Sequence, residues 1–212
     1  MAENLPVNFT IPQEGSVTSY SYTDIANGLG YVSFYAMRTV YSSSGVNAYE
    51  NMLSDQVRIS EQKFVSGDNA DVISFDASPF NVPKTIKGTA LIEYNLALNK
   101  VFTGNAFAYA KFEVVKVSGV TETSLGYVLG YYCSSSDSGW TSQGQHISKI
   151  SLTQTNFKIG DFLRLKITIT GRTKGDMDDL AIFCDPTDSA QTSPATISTS
   201  RLKLDIPFKI DL

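Results

Sequence analysis

The last twelve residues, Arg201-Leu-Lys-Leu-Asp-Ile-Pro-Phe-Lys-Ile-Asp-Leu212, alternate polar and apolar without a break. A period of two belongs to a strand with one buried face, because successive side chains on an extended backbone point to opposite sides. Leu202, Leu204, Ile206 and Phe208 therefore need a layer to pack against, and the C-terminus is expected to be part of the folded body. Pro207 cannot donate a hydrogen bond to a ladder, which favours an edge strand or a point where pairing is interrupted. We expect an edge, with Pro207 and Phe208 available for self-assembly.

The same signal recurs along the chain. Phe162–Thr170 sets Leu163, Leu165, Ile167 and Ile169 against Arg164, Lys166, Thr168 and Thr170, between Gly160-Asp161 and Gly171. Strand patterns also cover Tyr31–Tyr41, Gln56–Val65, Ala90–Leu98, Phe107–Val117, Leu125–Cys133, Ile147–Thr155 and Leu180–Cys184. Phe107–Val117 is apolar on both faces, as a central strand would be. Ala48–Leu53 offers a short turn of helix at most, and no longer helical period stands out. Eight or nine strands without intervening helices predict an all-β, antiparallel two-sheet sandwich of jelly-roll type. At 212 residues this is expected to be one domain, 31–212, preceded by an extended N-terminal arm, 1–30, broken up by Pro6, Pro12, Gly15, Gly28 and Gly30. Thr187–Ser200 reads as a long loop.

Charge narrows the function. The net charge of -4 and the lack of any Lys/Arg cluster argue against nucleic acid or an anionic membrane as direct partner. The N-terminus has no signal-peptide pattern and no apolar run is long enough to span a bilayer. Cys133 and Cys184 lack metal-ligand spacing and are expected as two buried thiols rather than a disulfide.

Catalytic chemistry is sparse. His146 is the only histidine and has no nucleophile elbow to serve. Glu93 and Glu113 stand alone on their strands, without the paired carboxylates of a glycosidase. We therefore expect no enzyme. Asp176, Asp178 and Asp179 form an acidic turn whose oxygens are a candidate calcium set, although the pattern lacks the features of an EF-hand. No other cofactor is expected. The polar segment Tyr131–Gln145 holds the only tryptophan. Trp140, with Tyr131 and Tyr132, is a candidate ligand-binding set able to stack on a sugar ring.

Two C-terminal stretches carry a resemblance: Phe157-Lys-Ile-Gly-Asp-Phe-Leu-Arg-Leu-Lys-Ile-Thr-Ile, and Cys184-Asp-Pro-Thr followed by the final Ile-Pro-Phe strand. They resemble small jelly-roll virion structural proteins of viruses and tailed phages. The resemblance implies a capsid, decoration or fibre-associated role in a virion, with no catalytic residues. Such a protein would associate with itself and with other virion proteins, through sheet edges, the arm, and aromatic second faces such as that of Tyr35. The arm has no Lys or Arg, so contact with a genome is not expected. The competing reading is a carbohydrate-binding or adhesin-like module, extracellular or on a cell surface, with a glycan as partner.

Overall fold

The computed structural model describes residues 29–43, 46–57, 63–66, 71–100, 106–136, 138–171, 179–184 and 201–209. Residues 1–28 of the arm expected over 1–30, and residues 185–200 of the expected loop, lie outside the described residues, while Leu29 and Gly30 belong to the first strand. Among the described residues there are twelve strands: β1 (Leu29–Ser43), β2 (Val46–Ser54), β3 (Lys63–Ser66), β4 (Asp71–Ala77), β5 (Lys84–Lys100), β6 (Ala106–Ser118), β7 (Thr121–Leu129), β8 (Cys133–Ser135), β9 (Gly139–Phe157), β10 (Phe162–Gly171), β11 (Asp179–Phe183) and β12 (Lys203–Lys209). They form one large sheet in the order β3-β11-β5-β12-β1-β2-β4-β10-β6-β7, with β8 on β6 and β9 on β5. Every pairing is antiparallel except β2 with β4.

Strands β2, β4 and β8 exceed the sequence expectation. Ala48–Leu53 is strand, not a helical turn, because Tyr35–Ser43 of β1 pairs with all of β2 and supplies its ladder. Strand β9 starts at Gly139, so much of the stretch read as a polar loop is extended ladder against β5.

Strand β5 is the hub. It pairs with β9 along its whole length, with β12 on its other side near Ile86–Glu93, and with β11 from Leu96 to Asn99. Strand β12 lies between β5 and β1, so the expected edge position of Pro207 is corrected. Pro207 is buried opposite Tyr31, where the register with β5 shifts between Asp205 and Phe208. Its missing N–H falls where pairing with β5 is interrupted, a position that tolerates proline. Gly88 completes the fit: its φ is +118°, and a Cβ there would meet the Pro207 ring at 3.5 Å.

One apolar cluster joins distant strands. Ile92, Tyr94 and Leu96 of β5, Leu204 and Ile206 of β12, and Phe34 and Ala36 of β1 share it with Ile73 and Phe75 of β4, Phe112 of β6 and Leu165 of β10. The Tyr94 and Phe112 rings lie 4.4 Å apart although β5 and β6 do not pair, so the sheet curls until these strands face each other. Cys133 and Cys184 are buried and not joined in a disulfide. Burial pushes the Cys133 thiol up to about 12, which keeps it protonated and unreactive at neutral pH.

The turn between β9 and β10 is held by Asp161. Its carboxylate accepts the Lys158 N–H at 2.8 Å and pairs with the Lys116 ammonium at 2.9 Å. The Asp161 carbonyl accepts the Phe80 N–H, and Gly160 donates back to the Phe80 carbonyl, pinning the loop before β5 to this turn. The Lys158 N–H, then Lys116 and the Ser118 hydroxyl, hold the Asp161 carboxyl down at about 2. A lowered folded pKa gives stability that is complete above the unfolded value, ~3.9, and is lost as pH falls toward 2. Asp161→Asn is therefore expected to be destabilised at pH 5, with its deficit against wild type closing by pH 2. Urea melts across that range measure it. A deficit unchanged with pH would refute the role of the charge.

Candidate functional site

The outward side of β6 carries Phe107, Tyr109, Lys111 and Glu113, alternating with the buried Ala108, Ala110, Phe112 and Val114. Register places Leu129 of β7 opposite Lys111 and Tyr127 opposite Glu113, while Ser134 of β8 faces Phe107. On the other flank β10 sets Thr170 beside Tyr109, Thr168 beside Lys111 and Lys166 beside Glu113. These side chains share one outer face because both ladders keep the pleat in phase.

Between β7 and β8 the chain returns Tyr132 onto this face. Its ring stacks on Phe107 at 5.8 Å and 18°, and lies 6.4 Å from Tyr109. Tyr127, Leu129, Tyr131 and Tyr132 are 60%, 57%, 49% and 54% exposed, so the rings are available to a partner. The Lys111 ammonium sits 4.6 Å above the Tyr127 ring and 2.9 Å from Glu113. Burial opposes ionisation of Glu113, but the Ser124 hydroxyl and Lys111 outweigh it and hold the carboxyl below its ordinary value. Toward the opposite end the face turns ionic: Arg164 forks onto Asp76 at 2.5 and 2.6 Å and also reaches Glu122. The result is an aromatic half joined to a half of mutually paired charges.

Tyr131 faces β9 instead. Its ring covers His146 at 4.1 Å and 12°, and the His146 Nε2 lies 2.8 Å from the Gln143 carbonyl. The Tyr131 N–H donates to the buried Tyr94 hydroxyl at 2.9 Å, which also shares a hydrogen bond with Ser148. Gly130 makes this turn possible, since a Cβ there would stand 2.8 Å from the Phe112 ring and 2.9 Å from the Ala110 carbonyl.

The structure separates the three aromatics grouped by sequence. Trp140 pairs opposite Asn99 and packs on Ala97, Ala181 and Phe183. His146 pairs opposite Tyr94, and the register shift between Leu96 and Ala97 lies between the two positions. Asn99 and Tyr94 are odd and even on β5, so Trp140 and the Tyr131–His146 stack occupy opposite faces of the β5–β9 ladder. Tyr35, Pro207 and Phe208 are buried inside the chain, with no free sheet edge at any of them. Asp176 and Asp178 lie outside the described residues, and of Asp179 only the backbone, at the start of β11, is described. Sequence reading missed Phe107, Tyr109, Tyr127 and Leu129 as surface residues. Their signal was the second apolar face of β6, which reads equally well as a central strand covered on both sides.

No protein-family model matches the chain, and no curated protein matches it. Among solved structures, an α-amino acid ester hydrolase superposes with a TM-score of 0.51 at 11% identity, over 83% of this chain and 36% of that one. An aminopeptidase from a marine sediment archaeon, Thaumarchaeota archaeon, gives 0.49 at 7% identity, over 83% and 37%. The VP2 subviral particle of infectious bursal disease virus gives 0.24 at 12% identity, over 83% and 42%. The chain thus spans little more than a third of the length of the two enzymes it resembles. The likeness to the ester hydrolase is one of all-β fold, and of fold alone.

Proposed function

We propose that this chain is a non-enzymatic structural component of a virion, a two-layer jelly-roll sandwich that associates with copies of itself and with other virion proteins. The observation that carries the reading is the stacked, half-exposed aromatic face of Phe107, Tyr109 and Tyr132, continued by Tyr127 and Leu129. A soluble monomer gains nothing from such a face, whereas tyrosines ringed by polar groups are the usual anchors of protein interfaces. The two-layer form is supported by the Tyr94–Phe112 contact between unpaired strands and by the ester hydrolase superposition.

Tyr132→Ser tests the proposal. Its ring lies outside the core, so the fold is expected to persist while self-association, read by sedimentation velocity, weakens by ~30-fold or more. Unchanged association would remove this face from the interface. Complete monomer behaviour of the wild type at high micromolar concentration would remove the assembly reading altogether. The second reading, a carbohydrate-binding module, is favoured by the same flat ring platform, because sugar rings stack on exposed tyrosine faces. Under it, wild type is retained on a glycan array and Tyr132→Ser is not.

A further inference from the structure

The outer face of β7, β6, β10 and β4 differs at its two ends, and this constrains how two copies can meet. Past Lys111 and Glu113, β10 sets Arg164 beside Val115 and Phe162 beside Val117, while β7 brings Ser124 and Glu122 to the same two levels. Strand β4 adds Asp76 beside Arg164 and the exposed Val72 beside Thr168. The described charged side chains of the face are joined in the ion pairs Lys111–Glu113, Arg164–Asp76, Arg164–Glu122 and Lys166–Glu122. Their charges sum to zero, although the chain as a whole carries -4. Like-charge repulsion between copies is therefore weakest on this face.

We propose that two copies pack these faces together about a two-fold axis that crosses β6 between Lys111 and Glu113. The inference rests on the reading of this face as the surface of self-association, and adds the geometry. A closed symmetric pair uses the same patch on both sides. An axis running along β6 would set Lys111 over Lys111 of the second copy and Glu113 over its Glu113, a juxtaposition that costs free energy. An axis across the strands turns the second copy end for end. Lys111 then meets Glu113 of the second copy, and the same pair forms again on the other side of the axis. The turn also lays the Phe107–Tyr109–Tyr132 end over the Arg164–Glu122 end, where a guanidinium and aromatic rings suit each other. Strands aligned in two stacked sheets are ordinary sheet packing. Four strands wide and as long as Phe107 to Val117, each face covers ~600 Å². Two such faces remove ~1,200 Å² from water, the low end of stable interfaces.

The test places one spin label per chain through Val120→Cys, at the exposed tip of the β6–β7 hairpin and off the face. Cys133 and Cys184 are buried, so the label goes to the new thiol. Position 120 lies ~8 residues, or ~27 Å, along the strand from the axis, so the two labels of a dimer should be ~50 Å apart by double electron–electron resonance. An axis along β6 would leave both hairpins at one end, under ~30 Å apart. A distance below ~40 Å would overturn the inference and leave the face as the surface of association. A monomer at high micromolar concentration would overturn both. A second measurement uses Lys111→Glu and Glu113→Lys, each checked for its fold by circular dichroism. Each alone is expected to weaken self-association roughly tenfold or more, and an equimolar mixture to restore it as a heterodimer. A mixture of folded variants that stays monomeric would also overturn the proposal.

Discussion

Phe112→Ala is expected to lower the free energy of unfolding by ~3–5 kcal/mol, the range for deleting a fully buried phenyl ring. Phe112 has no exposed surface and lies in register between Ile167 of β10 and Val128 of β7. Its ring is also the contact through which β6 meets β5, at 4.4 Å from Tyr94. Truncation removes the transfer energy and leaves a cavity that paired strands on both sides keep from collapsing. A domain of ordinary stability has only ~5–15 kcal/mol in total, so the variant stands near the threshold of folding. The loss extends to the surface, because Tyr94 would lose the ring that supports it and its hydroxyl holds the Tyr131 N–H. Urea denaturation at neutral pH measures the effect. A loss below ~1 kcal/mol would mean that the site relaxes freely, contrary to the packing described.

Gly126→Ala should cost about 3 kcal/mol for a different reason, at the upper end of overpacking. A Cβ at this position would sit 2.3 Å from the Ser151 carbonyl oxygen of β9. Real Cβ atoms do not approach an oxygen so closely, and the obstacle is backbone, so no rotamer change relieves it. The neighbouring bulge, where the β6–β7 register shifts between Val114 and Val115, fixes β7 in this position. The expected fall in melting temperature is ~6–12 °C for a chain of this size. Ser151→Gly as a second change should restore nothing, since the clashing atom belongs to the main chain. A shift within ~1 °C would show that the β7–β9 crossing is loose.

Much of the fold can be read from alternation, and particular elements show where that reading stops. Strands β10 and β12 were legible because each has one wet and one dry face, so period two survives in the residue types. Strand β2 was obscured by Ala48, Tyr49, Met52 and Leu53, whose spacing mimics a helical turn, and only the ladder with β1 decides between them. The first half of β9 was taken for loop because it has one neighbour, β5, and is rich in Ser, Gln and Gly. Pro207 pointed to an edge or to a point where pairing is interrupted; the structure shows the interruption, at a bulge within a central strand, and residue types alone could not choose between the two.

The candidate site was half legible. Tyr131 and Tyr132 were visible as exposed aromatics, and the structure gives each a stacking partner, His146 and Phe107. The company of Trp140 was an inference from proximity in sequence. A single register shift in β9 places it on the other face, which residue types cannot report.

The position of β12 has a consequence for biosynthesis. This strand, the last of the described strands in chain order, joins β1, the first of them, to β5. Those pairings connect positions such as Val32 and Ile206, so they cannot form until the intervening strands have been made and β12 has left the ribosome. Until then β1 and β5 each offer an unsatisfied edge, and loop-closure entropy delays their union further. This part of the nascent chain is therefore most open to wrong pairing just before β12 appears, and β12 is the piece that ends that exposure.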